Sequence, residues 1–244
     1  LLLISMISVP RIEAANSTET FKDSADTKIV KLLEALGLME IDSETGFFWD
    51  EMPVKRSELA KIICKMFNIS ETKDASPHFT DVSDYDRAYI ETAIRNGYMS
   101  GYDNEKFGPD DYVTKIQLIK TFVTALGGDA AAQSQGGYPG GYITIGNMLG
   151  LLKGKAVANE NISCRIDVAN IIYTALHADV LEIAGSVGNN INYKTVEGYT
   201  FLTEKRNIYR VKGIISQNEA TSLNRDNGLG EGNVKIGTEI HCDD

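Results

Sequence analysis

Three basic residues stand at matched places in the chain. Arg56 heads the phrase RSELAKIICKMF, Lys115 heads KIQLIKTFVTAL and Arg165 heads RIDVANIIYTAL. In each phrase apolar residues recur three, seven and eleven positions after the cation: Leu59, Ile63 and Phe67; Leu118, Phe122 and Leu126; Val168, Ile172 and Leu176. That spacing draws an apolar stripe along one face of a helix, so each cation is predicted in a first helical turn. A guanidinium is a planar fork of N–H donors that meets a pair of anionic oxygens with two parallel hydrogen bonds. The open N–H groups and positive dipole end of a helix start reinforce such a grip. Two positions after the arginines, Glu58 and Asp167 suit that end of a helix and are placed to orient the cation. Lys115 has Gln117 there instead and, as a point charge, cannot form the fork. The plainer reading is a solvated charge or a partner for a nearby carboxylate. The threefold register is what sets ligand binding beside it.

Other chemistry is not indicated. His78, His177 and His241 lie in unrelated contexts and form no nucleophile–base set with a Ser or Cys. No spacing of the three cysteines suits zinc; Cys64 falls on an apolar stripe and reads as a small core residue, while Cys164 and Cys242 can pair or stay free. Asp103, Asn104 and Glu105 do not space like a calcium loop and read as a turn. The run GLGEGN lacks the Lys-Ser/Thr of a phosphate loop and reads as a hairpin turn. No metal, cofactor or catalytic residue is expected. A net charge of -10, without a block of Lys and Arg, speaks against a nucleic-acid partner.

The elements that must carry the three cations are helix pairs. A helix is predicted over Asp26–Leu36, closed by Gly37, and another from about Ser57 with Leu59, Ile62, Ile63, Met66 and Phe67 inward. A third runs from about Asp86 to Asn96 before Gly97, and a fourth from about Lys115. The Gly-rich run GGDAAAQSQGGYPGG at 127–141 reads as a flexible connection. It leads to a helix near Ile143–Leu149 and a last one from about Arg165. From Gly185 onward Val, Ile, Thr and Tyr with Gly punctuation predict several β-strands. At the other end, LLLISMISVPRIEAANS looks like the apolar and cleavage regions of a secretory signal, cut near Ala15 and too short to span a bilayer. Without an initiator Met or a basic leader segment, the sequence is expected to start late, and the β-rich end to begin something longer or to pair with a partner.

Gly37, Gly97 and Gly150 each follow a helix and precede their cation by nineteen, eighteen and fifteen residues. Self-similarity at a period of about fifty residues signals a repeat whose units must pack on one another to bury their stripes. At these residues the chain resembles the S-layer homology domain, whose pattern is close to F-x-D-V, then G-I-x-x-G-Y-x-D-G-x-F-x-P, then (I/V)-T-R-A-E. Phe79-Thr80-Asp81-Val82, then Gly97-Tyr98-Met99-Ser100-Gly101-Tyr102-Asp103 and Phe107-Gly108-Pro109, match the first two parts. The last part is matched by Val54-Lys55-Arg56-Ser57-Glu58, Val113-Thr114-Lys115-Ile116-Gln117 and Ser163-Cys164-Arg165-Ile166-Asp167. The first copy lacks the opening motif and the third is degenerate in its middle.

The resemblance implies a mainly α fold, a pseudo-three-fold trimer of helical repeats followed by a small β-rich C-terminal segment. The divisions it implies are a signal remnant at 1–15, repeats at 22–70, 76–127 and 128–183 (the last with the Gly-rich insert), and a β-rich region at 185–244. It also implies a non-catalytic, secreted protein of the cell wall or S-layer, outside the membrane once the signal is cut, that binds secondary cell-wall polysaccharide in grooves between repeats. A pyruvyl ketal on that glycan carries a carboxylate for Arg56, Arg165 and, more weakly, Lys115, with Glu58 and Asp167 beside them. Tyr85 stands about where the family often has Trp and offers a face to a sugar, while Gly97 and Gly101 let the backbone approach a ligand. Two other expectations stand beside this one. The chain is the anchor of a larger surface enzyme such as a glycan hydrolase, or it is a structural part of an S-layer or virion-associated fibre that self-associates through its β edges.

Overall fold

The computed structural model describes residues 27–69, 79–152, 161–187, 190–206, 214–217 and 235–237. The leader, His78, the GLGEGN run, His241 and Cys242 lie outside them. The chain is mainly α. In order come α1 (Thr27–Ala35), α2 (Arg56–Met66), α3 (Asp84–Arg95), α4 (Lys115–Ala125), α5 (Asp129–Ser134), α6 (Gly140–Met148) and α7 (Arg165–Leu176). Strands β1 (Asp179–Val187) and β2 (Asn190–Thr200) and the short α8 (Phe201–Arg206) follow. All of these belong to one compact unit, Thr20–Asn207. In a second unit, β3 (Ile214–Gln217) pairs antiparallel with β4 (Lys235–Gly237).

The three cations open α2, α4 and α7, as the periodicity predicts, and each helix starts for a local reason. Glu58 accepts from the Lys55 N–H (2.9 Å), Gln117 from the Thr114 N–H (3.1 Å) and Asp167 from the Cys164 N–H (3.2 Å). The residue in the third helical position thus reaches back to satisfy the residue before the helix, the device of a capping box. The predicted stripe faces inward: Leu59, Leu118 and Val168, then Ile63, Phe122 and Ile172, are buried in one core.

The extended residues ahead of the three helices meet each other. The Val54 N–H donates to the Ser163 carbonyl (3.1 Å), the Ser163 N–H to the Val113 carbonyl (2.7 Å), and the Val113 N–H to the Val54 carbonyl (2.9 Å), which closes a ring. Isolated bridges Pro53 to Cys164, Lys55 to Tyr112 and Thr114 to Ile162 flank it. Val54, Val113 and Ser163 are fully buried around this ring, and the Ser163 hydroxyl has no hydrogen-bond partner among the described residues.

Two expectations are corrected. The run 127–141 is not a flexible connection: Asp129–Ser134 forms α5 and α6 begins at Gly140. Two of its glycines serve close packing: a Cβ on Gly141 would lie 2.0 Å from the Ala132 carbonyl oxygen, and one on Gly128 2.9 Å from the Ile145 and Val123 side chains. Tyr142, buried beneath, donates its hydroxyl to Asp129 and accepts from Gln133 (3.0 Å), which ties the two helices together. The segment after Gly185 is not uniformly β. Phe201–Arg206 is helical, and Phe201 is buried with its ring edge-on to Phe67 at 4.7 Å. The first strand also begins at Asp179, inside the range expected for the third repeat, and pairs antiparallel with β2.

Candidate functional site

Arg56 opens α2 but turns its side chain into the loop that links α3 to α4. Nε donates to the Phe107 carbonyl (3.0 Å) and Nη2 to the Ser100 carbonyl (2.7 Å). The guanidinium lies over the Tyr102 ring at 4.6 Å and the Phe107 ring at 4.5 Å, and the residue is only 5% exposed. Burial pulls its pKa below the ordinary arginine value, opposed by the charges of Asp111 and Asp81 and by Tyr102. Aromatic faces and carbonyl oxygens replace the water that the cation gives up. Nη1 has no protein acceptor among the described residues and belongs to a residue that lines an open cleft.

The loop that receives Arg56 is itself held by Asp81, the acid of the F-x-D-V motif. Its carboxylate accepts from the backbone N–H groups of Phe107 (3.0 Å) and Gly108 (2.8 Å). Partial burial pushes its pKa up, but these two donors outweigh it and hold the carboxyl below the usual range. The first N–H groups of the helices are also committed within the protein. Arg56 and Ser57 donate to the carbonyls of Asp111 and Pro109, Arg165 and Ile166 to those of Met52 and Asp50, and Lys115 to that of Asn161. The first two N–H donors of α2 and α7, and the first of α4, are therefore spent on neighbouring segments and not held out for a ligand.

The cleft beside Arg56 has a volume of about 200 Å³. Its walls come from Arg56 and Leu59 of α2, the loop Tyr98–Tyr102, Gln117, Lys120 and Thr121 of α4, and Tyr138 just before α6. Among the described residues no carboxylate pairs with Lys120. Tyr102 and Tyr138 are half exposed. One cation held in place, one free ammonium and three phenol rings, those of Tyr98, Tyr102 and Tyr138, suit a ligand with both an anionic group and apolar C–H faces.

Arg165 repeats the Arg56 arrangement elsewhere. Nε donates to the Phe48 carbonyl (2.7 Å), Nη2 to the Glu40 carbonyl (2.6 Å), and the guanidinium lies 4.6 Å over the Phe48 ring. Lys115 instead reaches Asp167 of α7 at 3.3 Å. The acidic companion that its own phrase lacks comes from another helix. Asp167 is pushed up by burial, yet its hydrogen bonds from Cys164 and the Lys115 charge bring it below the usual carboxylate range.

The expected site residues therefore separate. Arg56 and Gly101 line the cleft; Arg165, Lys115, Glu58, Asp167, Tyr85 and Gly97 do not. Glu58 and Asp167 cap their own helices, and Glu58 forms no hydrogen bond or ion pair with Arg56. Gly97 ends the turn after α3 in the left-handed region. Gly101 is pressed against Phe79, 2.5 Å from where a Cβ would sit. Tyr85 is well exposed and receives a hydrogen bond from Lys61 (3.4 Å), whose ammonium lies 5.7 Å over the ring. Register relates this pair to the cleft: Lys61 follows Arg56 as Lys120 follows Lys115, and Tyr85 precedes Gly97 as Tyr138 precedes Gly150. Asp81, Phe107, Lys120 and Tyr138 are the residues that sequence reasoning missed. The F-x-D-V and F-x-P motifs marked the first two without showing that they hold an arginine from another segment.

Among the described residues no group of acidic, His or Cys side chains could hold a metal, and no helix is long and apolar enough to cross a membrane. Residues 78–119, which include Asp81, the Arg56-binding loop and the start of α4, match the S-layer homology domain. The Middle cell wall protein of Brevibacillus brevis (strain 47 / JCM 6285 / NBRC 100599) is 24% identical over 261 aligned residues, covering 95% of this chain and 24% of that protein. The Surface layer protein of Brevibacillus choshinensis is 27% identical over 158 residues, covering 62% of this chain and 14% of that protein. The chain thus spans a quarter or less of these relatives. With the loop motifs, the matched segment and these relatives in agreement, it is a cell-surface protein that carries an S-layer homology domain at residues 78–119.

Proposed function

We propose that this chain anchors a surface protein non-covalently to the cell wall by binding secondary cell-wall polysaccharide, with an anionic sugar, such as a pyruvylated one, seated in the Arg56 cleft. Repeats at 22–70, 76–127 and 128–183 form the three corners of the anchor. The observation that carries the reading is the cleft itself. Its fixed guanidinium and unpaired Lys120 meet a carboxylate, and the tyrosine rings meet sugar C–H faces. Arg165 with Tyr85, and Lys115 with Asp167, mark the two related places where further glycan contacts would fall. The binding needs no cofactor and no catalytic step.

The test is sedimentation of the purified chain with cell walls that retain the polymer, walls stripped of it, and walls whose ketal pyruvate has been removed. The chain is expected to pellet with the first and to stay in solution with the others. Lys120→Ala and Tyr138→Ala change the cleft rim without disturbing the Arg56 contacts. Each should weaken retention by about 1–2 kcal/mol, the scale of one charge-assisted hydrogen bond or one aromatic contact. Equal retention on pyruvate-free walls would refute the carboxylate mechanism. Equal retention on stripped walls would refute glycan anchoring altogether.

A further inference from the structure

We infer that Trp49 is a second sugar-stacking platform, serving the Arg165 side of the protein as Tyr102 serves the Arg56 side. This rests on the glycan-binding reading above. Trp49 has φ of 60°, in the left-handed region, which a bulky residue occupies only at an energetic cost. The register shows what it replaces. Phe107 accepts from Nε of Arg56 and lies under its guanidinium, and Phe48 does the same for Arg165. The residue after Phe107 is Gly108, with φ of 73°; the residue after Phe48 is Trp49. A glycine position has been filled by the largest side chain.

The neighbouring position explains why. Around Arg56, Tyr102 lies 2.5 Å from where a Cβ on Gly108 would stand, so its ring occupies that space. Tyr102 is five residues after Gly97, and five residues after Gly37 stands Asp42, which has no ring to offer. Trp49 supplies an aromatic at the residue next to Phe48, whose ring and carbonyl hold the second arginine. Its side chain hydrogen-bonds the Asp42 carboxylate and lies edge-on to Phe47, with centroids 5.0 Å apart and planes at 85°, so the indole is held in place. Yet Trp49 is 41% exposed, as Tyr102 is 57% exposed. Core packing alone does not call for a strained backbone that presents a ring to solvent. A fixed, exposed indole on the residue that follows the arginine-holding Phe48 fits the apolar face of a pyranose ring.

Trp49 is the sole tryptophan, so its emission reads its own contact. The full chain is titrated with polysaccharide released from Brevibacillus cell walls, while a parallel sedimentation assay measures binding. Trp49 emission is expected to shift to the blue and to become shielded from iodide as binding saturates. Trp49→Asn, which tolerates the left-handed backbone, should weaken binding about tenfold, and Trp49→Tyr should restore most of it. Binding with unchanged emission and unchanged iodide quenching would overturn the Trp49 assignment and leave the anchoring function standing. Absence of any binding to wall polysaccharide would overturn both.

Discussion

Replacing Arg56 by alanine should unfold the protein more easily, and the size of the effect follows from the contacts. The side chain makes two charge-assisted hydrogen bonds, to the Phe107 and Ser100 carbonyls, and lies between two aromatic rings at 4.5 and 4.6 Å. Each such bond is worth about 1.5–3 kcal/mol when its partner is removed. The guanidinium is almost wholly buried, so solvent screening takes little from this. Its own desolvation, the cause of its lowered pKa, takes more. Water entering from the cleft would also rehydrate the abandoned carbonyls. The net cost comes to about 3 kcal/mol, or roughly 6–12 °C in Tm for a unit of this size. Arg56→Lys keeps the charge and one hydrogen bond but not the planar fork, and should cost about half as much. Urea unfolding followed by circular dichroism reads both variants, with Lys120→Ala as a surface control expected within about 0.5 kcal/mol of the parent. An Arg56→Ala protein as stable as that control would show that the guanidinium does not clasp the loop. The same result would return Arg56 to the role first expected of it, a cation held out for ligand alone.

Three further outcomes follow from other residues. Ser163→Ala removes a buried hydroxyl that has no partner among the described residues, at a position where the related segments carry Val54 and Val113; it should raise stability by about 1 kcal/mol, measured by the same unfolding curves. Gly141→Ala forces a Cβ to within 2.0 Å of the Ala132 carbonyl oxygen, and should cost about 2 kcal/mol or more as α5 and α6 move apart, with greater exposure of Tyr142 to quenchers. Asp81 and Asp167 both have pKa values below the ordinary aspartate value of 3.8, so their contribution is complete above that value and fades as the pH falls through the lower folded values. Denaturation midpoints should hold steady from neutrality to about pH 5 and fall below about pH 4, with a smaller fall in Asp81→Asn. An unchanged acid profile in that variant would contradict the latch assigned to Asp81.

Much of the architecture could be read from the sequence because it is written in local terms. The stripes from Leu59, Leu118 and Val168 onward need only helical spacing to be seen, and Gly37 and Gly97 mark turns that few other residues make. Side-chain destinations were harder. A cation in a first helical turn has the same sequence signature whether it faces a ligand or another loop, and Arg56 and Arg165 turn to carbonyls about fifty and more than a hundred residues away. Glu58 and Asp167 looked like companions of the arginines, yet their short reach favours the backbone three residues back. The run 127–141 misled because Gly is read as freedom when a sequence is all there is; at Gly141 it is contact, visible only once Ala132 is placed against it. Phe201 sits among strand-forming residues, and its helical turn follows from burial against Phe67.

The closed circuit of backbone hydrogen bonds through Val54, Val113 and Ser163 bears on which substitutions the junction can accept. Peptide groups other than proline's are alike whatever side chain they carry, so the junction of the three segments ahead of α2, α4 and α7 depends on backbone position more than on residue identity. A side chain can therefore change in any one of these segments, as Ser163 differs from Val54 and Val113, while the same ring of bonds persists. Removing any one of the three segments, by contrast, would strand a donor on one of the remaining two and an acceptor on the other.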